Sequence, residues 1–415
     1  MPGVLGVWLG DRRIGELANI PGDYNVFSFD EGYVEDPSAP VLSQSFLDKN
    51  GLPIRIIPRT QTVAAPFFAN LLPENPSALR ELLAKEHSLK VAPDFPLLRV
   101  LGRDLPGAVV LVDESETADD SVSYGSSATT IQSEPQGVHQ DEPLRFSLAG
   151  VQLKFSASLA GQRLTIPLEG QGGSWIAKLP SNAFPRLTEN EFAMMSFARA
   201  VGLNVPEIRL VDIGEVRGLP SEMPALREDE HYVYAIARYD RLADGSRVHA
   251  EDFNQIAGQF PRDKYENRST SWIAGVVSTL CPPEDIDELI ARVVFGVAIG
   301  NGDMHLKNWS LLYSNGRDAR LAPVYDYVCT LPYLPAGELA LTVGGERRFS
   351  SITTETIVEF AKRAEISKRE AVRVARATVE RIRASWASVR ESVPDHRVVA
   401  AVEQNMTRVP LLQGR

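Results

Sequence analysis

A segment of low apolar content, residues 113–143, divides the chain and so limits the folds available to it. It reads DESETADDSVSYGSSATTIQSEPQGVHQDEP and is dominated by Ser, Thr, Asp and Glu. Such a composition cannot bury enough apolar surface to offset the entropy that is lost on ordering. We therefore expect a flexible linker or an extended surface loop here. A regulatory segment with phosphorylation sites is the alternative.

The part before this segment, residues 1–112, has the pattern of a compact α+β subdomain. Apolar residues alternate on both sides of Gly10-Asp11, which predicts a β-hairpin. Strand-like sequence follows at 25–34 and 53–58, and residues 66–87 are typical of turns and a helix.

The part after the segment begins with short strands and ends with helices. Residues 144–240 predict a small antiparallel sheet with one inserted helix, where Thr188 and Glu191 have the spacing of a capping box. Residues 241–415 predict an all-helical lobe, because apolar residues recur at helical spacing along 285–300, 353–366 and 367–389.

Charge and cysteine content restrict the partners and sites that the chain can have. The chain has 43 Lys and Arg against 54 Asp and Glu, a net charge of −11, and a pI near 5.2. DNA binding needs clustered cations, so we expect DNA contact mainly through a partner. Two cysteines, Cys281 and Cys329, provide neither a disulfide framework nor a metal site, which favours a reducing, cytoplasmic location. We expect no signal peptide and no membrane span.

Polar residues interrupt an apolar region at 298–312, AIGNGDMHLKNWSLL. Asp303 and Asn308 have the D-x-x-x-x-N spacing of a kinase catalytic loop. There Asp303 would accept the proton of an attacking hydroxyl, and the amide oxygen of Asn308 would bind magnesium. Loop caps and turn formers also meet this spacing. We interpret His305 as a hydrogen-bonded residue that shapes the loop.

Three more residues complete a candidate site for phosphoryl transfer. Lys178 closes an apolar strand, like the phosphate-binding lysine of kinases, although a solvent-exposed strand end is the alternative. Glu191 lies on the next helix and could pair with this lysine or act as a capping glutamate. Asp326 lies in APVYDYV, predicted as a short strand, where a carboxylate is usually paired or metal-bound. We expect it to be the second magnesium ligand.

Six segments together resemble the HipA-type serine/threonine kinases, toxins of bacterial type II toxin–antitoxin pairs. They are FSLAGVQLKFS (146–156), IAKLP (176–180), ENEFAMMSFARAVGLNVP (189–206), IARYDR (236–241), NGDMHLKNWSL (301–311) and PVYDYV (323–328). The resemblance implies an α+β, two-lobed protein-kinase-like fold with an additional N-terminal subdomain and an all-helical C-terminal lobe. The boundaries we expect are 1–112 for the N-terminal subdomain, 113–143 for the linker, 144–240 for the N-lobe and 241–415 for the C-lobe.

The resemblance also implies roles for individual residues. Asp303 would be the catalytic base, Asn308 and Asp326 would bind Mg²⁺, and Glu191 would be the ion-pair partner of Lys178. Residues implied to contact ATP are Ala149, Gly150, Val151, Gln152, Lys154, Lys178, Arg238, Tyr239, Asp240, His305 and Lys307. Ser147 would be an inactivating autophosphorylation site, since its phosphate adds negative charge beside the ATP phosphates. From the residues alone, the segment around Gly150 indicates only a turn.

Two positions depart from the family pattern. Ala237 stands where the family hinge often has Glu, so adenine contacts there are expected from the backbone. Met304 stands where some members have Gly, which changes no ligand.

The function implied by the resemblance is growth arrest through phosphorylation of a translation factor. Family substrates include aminoacyl-tRNA synthetases, notably the glutamyl-tRNA synthetase, and the uncharged tRNA that accumulates stops growth and gives persistence. A HipB-like helix-turn-helix antitoxin would neutralise the kinase and contact DNA. A small-molecule phosphotransferase and a catalytically silent, antitoxin-binding co-repressor remain as alternatives.

Overall fold

The computed structural model of the chain describes residues 3–86, 89, 93–114, 130–131, 152–161, 163–166, 173–219, 226–334 and 337–414. Four predicted site residues, Ser147, Ala149, Gly150 and Val151, lie outside the described residues. Within the described ranges, no helix is long and apolar enough to cross a membrane.

The N-terminal subdomain is a mostly antiparallel sheet accompanied by short helices. Its elements are β1 (Gly3–Leu9), β2 (Arg12–Ile20), β3 (Tyr24–Phe29), α1 (Glu31–Val34), β4 (Arg59–Gln61), α2 (Pro66–Asn70), α3 (Ala78–Glu86), α4 (Asp94–Leu101) and β5 (Val109–Asp113). The β1–β2 hairpin turns at Gly10-Asp11, which confirms its prediction, and Gly10 has a φ of 61°. Leu5, Val7 and Leu17 of the hairpin share a core with Phe68 of α2.

Two other predictions for this region have different outcomes. Residues 53–58 form no strand and make only the isolated bridge of Pro53 to Leu47, so that prediction was wrong. Prolines at both ends lack the N–H donors that a strand needs, and Ile56 is 74% exposed. Within 113–143 the structure describes 113–114 and the short strand β6 (Thr130–Ile131), which pairs in parallel with β4 at the sheet edge. The flexible linker stays a prediction.

The N-lobe is a second six-stranded sheet, in the order β10-β12-β9-β7-β8-β11. Its elements are β7 (Lys154–Ala160), β8 (Arg163–Thr165), β9 (Trp175–Lys178), α5 (Leu187–Ala200), β10 (Ile208–Asp212), β11 (Val216–Arg217) and β12 (Tyr232–Ala237). Its strand pairs are antiparallel except β8 with β11. Met194 and Phe197 of α5 are fully buried in a core that includes Ile208 and Tyr234 of the sheet. The prediction of a small sheet with one inserted helix is confirmed.

The C-lobe is mainly helical but not all-helical, so that part of the prediction was wrong. Its elements are β13 (His249–Asp252), α6 (Phe253–Ile256), α7 (Thr270–Leu280), α8 (Pro283–Ile299), β14 (Ser310–Tyr313), β15 (Ala319–Leu321), α9 (Thr354–Arg363), α10 (Lys368–Val389) and α11 (His396–Arg408). The three strands form an antiparallel sheet. Asn315-Gly316 supplies the hairpin turn between β14 and β15, with Gly316 at a φ of 85°, and the helical patterns on both sides concealed this signal.

One continuous core joins α5 of the N-lobe to the helices of the C-lobe. The ring of Phe197 on α5 lies 5.1 Å from that of Phe295 on α8 and 5.1 Å from that of Trp386 on α10. Every residue of α8 from Leu289 to Ile299 is buried. This packing fixes the end of α8, where the predicted catalytic loop begins.

Candidate active site

Lys178 at the end of β9 is buried against Glu191 on α5. Lys178 Nζ lies 2.5 Å from Glu191 Oε1, and the two side chains are 9% and 1% exposed. The contact excludes a solvent-exposed strand end for Lys178. The capping-box prediction was also wrong, because the N-cap of α5 is Arg186, with a φ of 59° and its N–H bound by Glu230. The carboxylate of Glu191 is therefore available for the lysine.

Asp326 contributes a second carboxylate to the same ammonium. Its Oδ1 contacts Lys178 Nζ, although 148 residues separate the two positions. The predicted strand around Asp326 is not present, since its φ of 58° is incompatible with strand geometry. Asp tolerates this left-handed conformation better than most residues. The turn also directs the backbone carbonyl of Asp326 to Asn301 Nδ2, at 3.4 Å.

The loop after α8 holds Asp303 and Asn308 together. Gly300 ends α8 with a φ of 67°, and Asp303 N–H then donates to Asn301 Oδ1 at 3.0 Å. Asn308 Nδ2 donates to the backbone carbonyl of Asp303 at 2.8 Å. Because this hydrogen bond uses the amide nitrogen, the amide oxygen of Asn308 is the atom that could bind a metal ion.

Tyr265 binds the candidate base and was missed by the sequence analysis. Its hydroxyl donates to Asp303 Oδ1 at 2.5 Å from a position 38 residues earlier. Nothing in the segment PRDKYENR marks this tyrosine as part of a site. Only the folded path of the chain brings the two residues together.

The two carboxylates differ in electrostatic environment. Burial raises the pKa of Asp303 to about 6, against the opposing effects of the Tyr265 hydrogen bond and the charge of Lys264. Burial would also raise the pKa of Asp326, but Lys178 and Lys154 outweigh it and hold this pKa at about 2. Asp326 and Glu191 in turn raise the pKa of Lys178 despite its burial. Asp326 therefore suits a permanent cation ligand, and Asp303 suits a base that works near neutral pH.

Of the ATP contacts implied between Ala149 and Lys154, the structure describes Gln152 and Lys154. Lys154 pairs in register with Lys178 across β7 and β9, so both lysines stand on the same face of the sheet. Lys154 is exposed, and its positive charge helps to lower the pKa of Asp326. Gln152 Nε2 donates to the carbonyl of Leu179 at 2.9 Å, which holds the start of β7 against the end of β9.

His305 and Lys307 lie within this loop, between Asp303 and Asn308. His305 is buried, neither ring nitrogen has a hydrogen-bond partner among the described residues, and burial lowers its pKa well below the ordinary value. The expected hydrogen bond of this histidine is therefore not present, although its ring lies edge-on to Tyr265 at 5.1 Å. Lys307 Nζ donates to the carbonyl of Asn70 in the N-terminal subdomain at 3.1 Å.

Arg238 and Asp240, two of the residues implied to contact ATP, bind the N-terminal subdomain. Arg238 donates to Asp104 and Asp240, and Asp240 accepts the backbone N–H of Gly107 at 2.7 Å. The ring of Tyr239 lies 5.7 Å from that of Tyr325. These side chains are engaged within the protein, so any adenine contact at Arg238, Tyr239 and Asp240 remains a prediction that concerns mainly their backbone.

The donor set fits magnesium held together with a nucleotide. Among the described residues, no group of three or more His, Cys, Asp or Glu could hold a metal ion alone. Asp326 and Asn308 offer hard oxygen donors, as Mg²⁺ requires, and the remaining ligands would be phosphate and water.

A further pair of contacts fixes Asp326 relative to α5. Asn190, next to Glu191, donates from Nδ2 to the carbonyl of Cys329 at 2.9 Å and accepts the Cys329 N–H at 3.1 Å. Helix α5 therefore holds Lys178 through Glu191, and it holds the segment that carries Asp326 through Asn190.

Comparisons with known proteins identify the family. Residues 146–386 match the HipA-like C-terminal domain, and residues 5–112 match the HipA N-terminal domain. A Sinorhizobium fredii protein named "Putative kinase Y4dM" is 42% identical over 395 residues, covering 94% of this chain and 93% of its own. The serine/threonine-protein kinase toxin HipA of Shewanella oneidensis is 24% identical over 390 residues, covering 85% and 81%.

A solved structure shares the fold along the whole chain. It is the Shewanella oneidensis complex of HipA, HipB and operator DNA, which matches with a TM-score of 0.70 at 22% identity and covers 99% of this chain and 96% of that one. The chain therefore belongs to the family of HipA-type serine/threonine kinases, the toxins of type II toxin–antitoxin pairs.

Proposed function

We propose that this chain is an ATP- and magnesium-dependent protein serine/threonine kinase that arrests growth as the toxin of a toxin–antitoxin pair. One observation carries the proposal: Lys178 Nζ contacts the carboxylates of both Glu191 and Asp326, from two distant parts of the sequence. Beside this cluster lies the loop with Asp303 and Asn308. Buried charges are costly unless they are paired, so such an arrangement indicates a functional demand.

Each residue has a task in phosphate transfer. Lys178 and Lys154 would bind the ATP phosphates, and Asn308 and Asp326 would hold Mg²⁺, which neutralises the charge that develops on them. The acceptor hydroxyl oxygen attacks the γ-phosphorus, the bond to the ADP oxygen breaks, and Asp303 takes the hydroxyl proton. With a pKa of about 6, Asp303 is mostly ionised at neutral pH yet more basic than an exposed aspartate.

The partners that we propose follow from the family. The Shewanella complex contains HipB and operator DNA. We infer a HipB-like helix-turn-helix antitoxin for this chain, with DNA contacted mainly through that antitoxin, as its net charge of −11 favours. The proposed substrate is an aminoacyl-tRNA synthetase, such as the glutamyl-tRNA synthetase, in the cytoplasm.

Intact-mass spectrometry of the purified chain with ATP and Mg²⁺ tests the proposal. Wild type is expected to gain one phosphate at Ser147, and Asp303→Asn is expected to gain none. Asp285→Asn is the matched control, since Asp285 is also buried but binds Arg320 instead. Equal phosphate on Asp303→Asn and wild type would refute the assignment of the base. A wild type that starts unphosphorylated and stays so would refute the kinase.

A further inference from the structure

The N-terminal subdomain contacts the catalytic loop through residues 66–74. Asn70, at the end of α2, accepts the Lys307 ammonium on its backbone carbonyl. Its side chain donates to the carbonyl of Gln259 at 2.8 Å and accepts from Asn254 Nδ2 at 2.9 Å. The segment is therefore held firmly against the C-lobe, close to the proposed site of transfer.

Glu74, four residues later, forms an ion pair with Lys264 of the C-lobe. The Lys264 side chain is 3% exposed and that of Glu74 is 24% exposed. Among the described residues, this is the ion pair that Lys264 makes. A buried ammonium without a counter-charge is strongly unfavourable, so Lys264 depends on a carboxylate supplied by the other subdomain.

Lys264 lies next to the candidate base. Its Nζ is 5.3 Å from the ring centre of Tyr265, whose hydroxyl donates to Asp303. Its backbone carbonyl accepts the N–H of Leu306 in the catalytic loop at 3.1 Å. The charge of Lys264 favours the ionised form of Asp303, and the charge of Glu74 opposes this effect. If Glu74 were neutral, the Lys264 ammonium would be drawn to the carboxylate of Asp303.

We propose that Glu74 is a positioning residue of the kinase site, which retains the Lys264 ammonium and so leaves the carboxylate of Asp303 free to receive the acceptor hydroxyl. The N-terminal subdomain is then part of the catalytic apparatus. This inference rests on the proposed function, because it concerns the same phosphate transfer.

The test is the rate constant of phosphate incorporation in a single turnover, with ATP and Mg²⁺ in excess. Glu74→Gln is expected to lower this rate constant about tenfold or more, since small displacements of a catalytic group have effects of this size. Affinity for a non-hydrolysable ATP analogue, measured by calorimetry, is expected to stay within about twofold. Glu74→Asp is expected to restore most of the rate.

A double variant separates positioning from stability. Glu74→Gln with Lys264→Met has no ammonium to compete for Asp303, so its rate constant is expected to exceed that of Glu74→Gln alone and approach wild type. Glu114→Gln is the matched control, because Glu114, directly after β5, is 26% exposed and pairs with Arg13 of the N-terminal subdomain, not with the C-lobe.

Three results would overturn the inference. They are a wild-type rate in Glu74→Gln, an equal loss of rate in Glu114→Gln, and a double variant no faster than the single one. An active wild type with any of these removes only the role of Glu74. A wild type that incorporates no phosphate removes the proposed function and this inference together.

Discussion

Lys178 is one ammonium between two buried carboxylates, and this decides what its removal does. In Lys178→Met, both Glu191 and Asp326 lose their counter-charge. We expect phosphate incorporation to fall by about 100-fold or more and the free energy of unfolding to fall by about 3–5 kcal/mol at pH 8. Stopped-flow phosphate incorporation and urea denaturation measure the two effects.

The loss of stability in that variant is expected to depend on pH. Burial already raises the pKa of Glu191 to about 7, against the opposing charge of Lys178. A carboxyl whose folded pKa lies above its unfolded value stabilises the fold at low pH, and this contribution is lost as pH rises through the folded pKa. Without Lys178 the pKa of Glu191 rises further, so Lys178→Met is expected to lose more stability at pH 8 than at pH 6. An equal loss of stability at pH 6 and pH 8 would contradict this account. In the double variant Lys178→Met with Glu191→Gln, which has no carboxyl at position 191 to titrate, the loss is expected to be the same at the two pH values.

At the residue scale, the sequence could predict the groups whose types and order define the chemistry. Lys178, Glu191, Asp303, Asn308 and Asp326 are brought together as their order suggested. Positions defined only by tertiary approach could not be predicted. Tyr265 and Glu74 reach the site across long stretches of chain, and their local sequence resembles ordinary surface loops.

Among the single elements, helix α5 connects two parts of the candidate site. Asn190 and Glu191 are neighbours on it, and they bind the backbone of Cys329 and the ammonium of Lys178. Asn190→Ala leaves the N–H and the carbonyl of Cys329 without these partners, so the segment that carries Asp326 should become looser. We expect a loss of stability of about 2–3 kcal/mol and a rise of several-fold in the Mg²⁺ concentration for half-maximal phosphate incorporation.

A magnesium titration of phosphate incorporation measures this effect, beside a control of similar burial. Asn25 in the N-terminal subdomain is also buried and donates from Nδ2 to the carbonyl of Val63. Asn25→Ala is expected to lose stability without a change in magnesium dependence. If both variants shift the magnesium midpoint equally, the proposal that Asn190 of α5 positions the segment with Asp326 is wrong.

The elements that the sequence predicted well are those with long, regular periodicity. Helices α8, α9 and α10 follow the expected pattern, and the side chain of Ser367 caps α10 by accepting the N–H of Glu370. The β13–β14–β15 sheet and the turn at Asp326 were missed. Both consist of short apolar stretches whose conformation depends on contacts with distant residues. So few positions cannot show a regular hydrophobic periodicity.

For the molecule as a whole, His249 lies at the seam between the N-terminal subdomain and the C-lobe. Its Nε2 donates to the carbonyl of Leu42 at 2.8 Å, and its ring stacks on that of Tyr313 at 5.7 Å. Burial lowers the pKa of His249 to about 4, against the effect of this hydrogen bond. The stability that a neutral His249 contributes is present above pH 6.5 and is lost as pH falls toward 4.

Comparison with His249→Phe isolates this contribution. Between pH 6.5 and 4.5, the free energy of unfolding of wild type is expected to fall by about 2–3 kcal/mol more than that of the variant. Glu251 in the same seam titrates with the opposite sign, since burial raises its pKa to about 7, and the comparison between the two proteins cancels its effect. Parallel curves for the two proteins would show that His249 does not set the acid sensitivity of the seam.

The long separation of Lys178 from Asp326 has a consequence for biosynthesis. The contact joins positions 148 residues apart, and α5 and α8 are further covered by α10, which ends at Val389. A chain that is still on the ribosome can form the N-terminal sheet and most of the N-lobe without having this contact. The arrangement proposed for catalysis therefore arises only after α10 has been synthesised, so a chain that stops before this helix carries Lys178, the proposed ATP-binding lysine, but not a working centre.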